Sequence, residues 1–173
     1  MKKTIIIFIS IVIGLFVLIR IPINLRSNAY YYATHMPHKK NQYPFVPVLL
    51  GHWLPEKYVP GYQTKNYGAT RGPVMMQVSK RNIKEKNDIF MLTEHTATYA
   101  PKEGDWLISR YGIYFDESGT YDDYSKDKGI PAYSKELVTR HLKNVQNEIK
   151  QNAPKPKVNL QWIWNVWFKI HYR

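Results

Sequence analysis

Cysteine is missing from all 173 residues. That absence excludes disulfides, thiol nucleophiles and thiolate metal sites, and it leaves the redox compartment open. Acidic residues are scarce: 13 Asp and Glu stand against 25 Lys and Arg, a net charge of +12. Lys2, Lys3, Arg20 and Arg26 precede Tyr30 and no acid does, so 21 basic and 13 acidic residues follow, a surplus of eight. Such a body favours polyanionic neighbours: lipid headgroups, envelope polymers, nucleic acid or a protein with an acidic surface. Also lacking are a G-x-S-x-G elbow, a Gly-rich phosphate loop, an H-E-x-x-H pair and any internal repeat. These gaps argue against an enzyme without excluding one, because acid–base partners can lie far apart in a chain.

One long hydrophobic run is present. Sixteen residues without formal charge, Thr4 to Ile19, follow Lys2 and Lys3 and precede Arg20. As a helix they cover roughly 24 Å, somewhat short of a hydrocarbon core of about 30 Å. Arg20 can snorkel to the headgroups, letting Ile21 and Ile23 extend the span, so residues 4–23 are read as the bilayer contact. Pro22 is expected to limit the regular helix. Cleavage is the alternative, because Ser27, Asn28 and Ala29 put small residues where a signal peptidase cuts. The apolar run is long for a cleaved leader, however, and the spacer carries Arg20 and Arg26. The reading is therefore a retained signal-anchor in a bacterial inner membrane. Its short head stays cytoplasmic and its body is periplasmic, although basic residues flank both ends of the span. The alternative is a protein secreted after cleavage following Ala29.

The expected organisation has three parts: an anchor over residues 1–26, a Pro/Tyr-rich stalk and arm over 27–62, and an α+β domain over 63–173. In the arm, Leu49, Leu50, Trp53 and Leu54 are the expected core anchors. Short apolar stretches at 74–78, 89–99 and 106–109 read as strands. Tyr111, Ile113 and Phe115 alternate before an Asp116, Glu117, Ser118, Gly119 turn, and 120–124 returns as a hairpin. Ser134 is expected to cap a helix over 134–152, with Val138, Leu142, Val145 and Ile149 as one apolar stripe. The end of the chain, LQWIWNVWFKIHYR, alternates and reads as a long strand over 158–172. The fold class is thus a transmembrane helix followed by a small, mostly antiparallel sheet packed by one amphipathic helix.

Candidate chemistry is sparse. His35 and His38 lack a nearby carboxylate and fall short of the three or four ligands that zinc requires. Glu94 and His95, on a single strand, would face opposite ways. Asp116, Glu117, Asp122, Asp123 and Asp127 miss the spacing of a helix-flanked calcium loop. The S-x-x-K string at 125–128 stands without its companion elements. No catalytic, metal or cofactor residue is assigned. Nucleic acid is disfavoured because the positive charge is spread along the chain.

The sequence therefore points to a non-catalytic, membrane-anchored extracytoplasmic binding protein with an acidic partner. One concrete form is an immunity or inhibitor protein that meets a toxin at the envelope. Trp167, Lys169, His171 and Arg173, with His52 and Trp53 of the arm, are the candidate contacts. The competing classes are a structural subunit of a secretion or pilus assembly and an envelope hydrolase or transferase. For the last, two or more of Glu94, His95, Asp105 and the 116–127 carboxylates would have to converge.

Overall fold

The computed structural model describes residues 2–66, 76–80, 89–93, 96–100, 102–103, 106–107, 111–122 and 132–172. Helix α1 (Lys2–Ser27) contains the apolar run, and the large apolar residues from Ile5 to Ile19 are all exposed. It is long and apolar enough to cross a membrane or to serve as a signal sequence. Pro22 lies inside α1 instead of ending it. A proline removes one backbone donor, but the N–H groups after it can still reach carbonyls four residues back, so the helix resumes.

Asn28 turns the chain into α2 (Ala29–His35). Its backbone N–H and its side-chain amide both donate to the Asn24 carbonyl, at 3.1 and 3.0 Å. Residues expected to form a stalk and arm contribute Tyr32, Tyr43, Phe45, Leu49 and Leu54 to the core. Prolines divide this stretch into short pieces, α3 (Phe45–Val48) and a single 3-10 turn (Glu56–Tyr58). Of the four expected anchors, Leu49 and Leu54 are buried, whereas Leu50 and Trp53 are exposed.

Six antiparallel strands form the main sheet: β1 (Tyr62–Asn66), β2 (Met76–Lys80), β3 (Ile89–Leu92), β4 (Thr96–Ala100), β7 (Tyr111–Phe115) and β8 (Tyr121–Asp122), in that spatial order. A separate pair, β5 (Lys102–Glu103) and β6 (Trp106–Leu107), joins β4 to β7 in sequence. The stretch 89–99 is thus two paired strands and not one. Thr93 and Thr96 bond each other across the junction, the Thr93 N–H donating to the Thr96 carbonyl at 2.8 Å. Register aligns Leu92, Ala97 and Ile113 across β3, β4 and β7, and all three are buried. That row faces α4 (Ala132–Asn152), which contacts the same three strands. Val138, Leu142, Val145 and Ile149 are each buried, as the stripe requires. Ser134 sits within the first turn of α4, which begins at Ala132, three residues before a helix capped by Ser134 would start.

The β7–β8 hairpin closes through Gly119 at φ +74°, a left-handed geometry that glycine adopts without strain. The Asp116 carboxylate accepts the Ser118 N–H, the Ser118 hydroxyl and the Thr120 N–H at 2.8–2.9 Å. Its role is to form the turn.

The expected C-terminal strand is a helix, α5 (Gln161–His171). A four-residue repeat hides inside a two-residue one: Leu160, Trp164, Phe168 and Tyr172 alternate as a strand face would, yet they also step four apart. Burial separates the two patterns. Trp164 and Phe168 are each 1% exposed, whereas Trp162, Val166 and Ile170 are 69%, 54% and 75% exposed. Half of the supposed strand face enters the core and the other half points away from it. Asn159 Oδ1 accepts the Gln161 N–H at 3.0 Å, helping the turn into α5.

Candidate functional site

The buried Tyr32 side chain joins the end of α1, α2 and the start of α5. Its hydroxyl faces two acceptors, Asn24 Oδ1 and the Val158 carbonyl at 3.2 Å, and it receives the Leu160 N–H at 3.2 Å. Gln161 Nε2 donates to the Tyr32 carbonyl at 2.9 Å, and Asn24 Nδ2 donates to the Val158 carbonyl at 3.3 Å. The Tyr32 ring stacks on Trp164 with centroids 5.7 Å apart. Burial raises the pKa of this hydroxyl, the Leu160 N–H opposes that rise, and Tyr31 adds to it. The consequence is mechanical: the helix that carries the apolar run and the helix at the chain end are fastened to one centre.

The candidate contacts from the sequence divide between two places. On α5, Lys169 and His171 are exposed, but Trp167 is half-buried. Its indole is 4.9 Å from that of Trp164 and 4.8 Å from the stacked His171 ring, with Tyr172 edge-on at 5.6 Å. Trp167 therefore serves mainly as packing between the core and the end of α5. Arg173 lies outside the described residues. In the arm, His52 and Trp53 line a cleft of about 320 Å³ together with Arg26, Tyr30 and Tyr58. The Tyr30 hydroxyl donates to the His52 carbonyl at 2.6 Å. Burial lowers the His52 pKa, and the nearby Arg26 charge lowers it further. Burial pushes the Tyr30 hydroxyl well above its usual range, with a smaller push from Tyr172. The Tyr30 hydroxyl thus ties α2 to the arm at His52.

The residues weighed for chemistry do not assemble into a centre among the described residues. His35 directs Nδ1 at the Tyr31 carbonyl at 2.8 Å and stacks on the Tyr31 ring. His38 directs Nδ1 at the Met36 carbonyl at 2.6 Å, and its Nε2 is 3.3 Å from Gln146 Nε2. No group of three His, Asp or Glu with metal-binding geometry occurs among the described residues. Glu94, His95, Asp105, Asp123, Asp127 and the 125–128 string lie outside them.

Two features escaped the sequence reading. One is the outer face of α5, where Trp162, Val166 and Ile170 form an exposed apolar stripe with Lys169 beside it. The signal was the i, i+4, i+8 spacing, visible only once the segment is read as a helix. The other is the Tyr32 centre, whose partners Val158 and Leu160 stand 126 and 128 residues away, so no local pattern marks it. No known protein family, curated protein or solved structure matches this chain.

Proposed function

We propose that this chain is a membrane-anchored, extracytoplasmic binding protein that engages a protein partner of acidic surface through the outer face of α5. The observation that carries this reading is that α5 is apolar on two opposite sides. Trp164 and Phe168 fill the core, while Trp162, Val166 and Ile170 stand bare. A helix with apolar stripes on two sides is ordinarily covered on both, so a bare stripe marks a place for another molecule. The stripe runs about 12 Å along the helix. Its tryptophan is the residue type that anchors interface centres, and Lys169 beside it suits an acidic rim. The surplus of positive charge would speed encounter with such a partner.

Retention of α1 is supported by the local structure of the alternative cleavage point. Ala29 and Tyr30 are both buried within α2, so a mature chain starting at Tyr30 would begin inside a packed helix. An immunity or inhibitor protein is the concrete form of this activity, because blocking a toxin requires one complementary face and no reaction.

The test places a photoreactive benzoylphenylalanine at position 166 of the full chain in cells. The reading predicts an adduct to one protein, lost when W162A and I170A are added. Adducts to lipid alone, or a protein adduct indifferent to those two substitutions, would refute it.

A further inference from the structure

A groove of about 860 Å³ separates the last turns of α1 from the 154–160 segment. Its size falls within the roughly 300–1,000 Å³ of small-molecule pockets. Phe16 and Val17 line it from α1, and Lys155 and Lys157 line it from the facing segment. Arg20 lines it too, its guanidinium carbon 4.7 Å from the centre of the Phe16 ring. No carboxylate occurs among the described lining residues.

We infer that this groove holds an anionic phospholipid, its phosphate at Lys155 and Lys157 and an acyl chain along Phe16 and Val17. The inference rests on α1 being retained in the bilayer, as proposed above.

Depth supports this occupant. Phe16 precedes Asn24 by eight residues, about 12 Å along the helix axis. A span drawn over residues 5–23 therefore sets Phe16 and Val17 in hydrocarbon and Asn24 at its boundary. The groove is thus apolar where acyl chains run and cationic where headgroups lie. The Arg20 guanidinium folds back over the Phe16 ring, a cation–π contact within the groove wall.

The groove is also built and held. Asn24 Nδ2 reaches the Val158 carbonyl, and the Tyr32 hydroxyl bonds both Val158 and the Leu160 N–H, fixing the segment beside α1. Pro154 and Pro156 stiffen the stretch that presents the two lysines. A transmembrane helix of another protein would fit the apolar wall but would leave Lys155 and Lys157 without a counter-charge.

The full chain, purified in a zwitterionic detergent, is analysed by native mass spectrometry with phosphatidylglycerol or phosphatidylcholine of identical acyl chains. The expected result is about tenfold greater retention of phosphatidylglycerol, the ratio that a modest difference in binding produces. K155Q/K157Q should abolish the preference while leaving the melting temperature unchanged, since both lysines are exposed. Equal retention of the two lipids would overturn the inference, as would an unaltered preference in the double variant. Displacement of the lipid by millimolar inorganic phosphate would overturn it in favour of a soluble anion. Washing of the wild-type chain out of membranes would defeat the anchor itself. Lipid indifference in a chain that stays membrane-bound would defeat the groove alone.

Discussion

The Tyr32 hydroxyl bonds the side-chain oxygen of Asn24 across the α1–α2 junction. That contact unites the end of the apolar helix with the folded domain, because the same hydroxyl reaches Val158 and Leu160. Y32F keeps the ring on Trp164 but leaves the Leu160 N–H and two acceptors without this partner. It should destabilise the chain by about 1–3 kcal/mol, measured by urea unfolding in detergent. A loss below a few tenths would show that the centre does not fasten the segments.

Gly119 supplies the second expectation. A Cβ there would meet the Tyr43 carbonyl and come within 2.8 Å of Pro47 Cδ, with φ already at +74°. Gly119 O also accepts the Tyr43 N–H at 2.8 Å, so backbone cannot move without loss of that bond. G119A should cost about 1–3 kcal/mol or more, since strain and clash act together. A melting temperature equal to wild type would contradict the hairpin geometry.

Thr64 should respond in the other direction. Its hydroxyl is buried with no hydrogen-bond partner among the described residues, while its N–H is satisfied by Glu56 Oε1 at 3.2 Å. T64V retains the shape and removes the unpaired oxygen. Stability should rise by about 1 kcal/mol, visible as a higher urea midpoint with unchanged slope.

Two pH limits follow from the buried rings. Burial, aided by Tyr121, pushes the Tyr43 hydroxyl up to about 12, from an ordinary value of 10.0. The unfolded chain then loses this proton first, so folding stability declines as pH rises from 10 toward 12. Tyr30 and Tyr62 act in the same sense. His52 acts at the acid end. Its lowered pKa means that the unfolded chain binds a proton more readily, so stability declines as pH falls below 6.5. Unfolding midpoints across both ranges check the signs, and H52Q should flatten the acid limb alone.

The parts legible in the sequence share one property: their period fits one structure only. The Val138, Leu142, Val145, Ile149 stripe steps by four, three and four, which no strand face does, and α4 buries all four. The alternation of Ile113 and Phe115 ahead of Gly119 likewise fixed a hairpin. In α5 every apolar residue at even number satisfied both periods, so a strand was expected where a helix formed. On that helix the candidate contact Trp167 packs against Trp164, while Trp162 stands bare. In the arm, the prolines marked where helices break without showing that Tyr43 and Phe45 pack inward.

The central claim is that α1 remains attached and tethers the domain to a bilayer. Intact-mass measurement of natively expressed chain, fractionated after an alkaline carbonate wash, addresses it most directly. The expected species is the 20.5 kDa chain, α1 included, in the membrane pellet. A shortened chain beginning near Tyr30 in the soluble fraction would contradict the account.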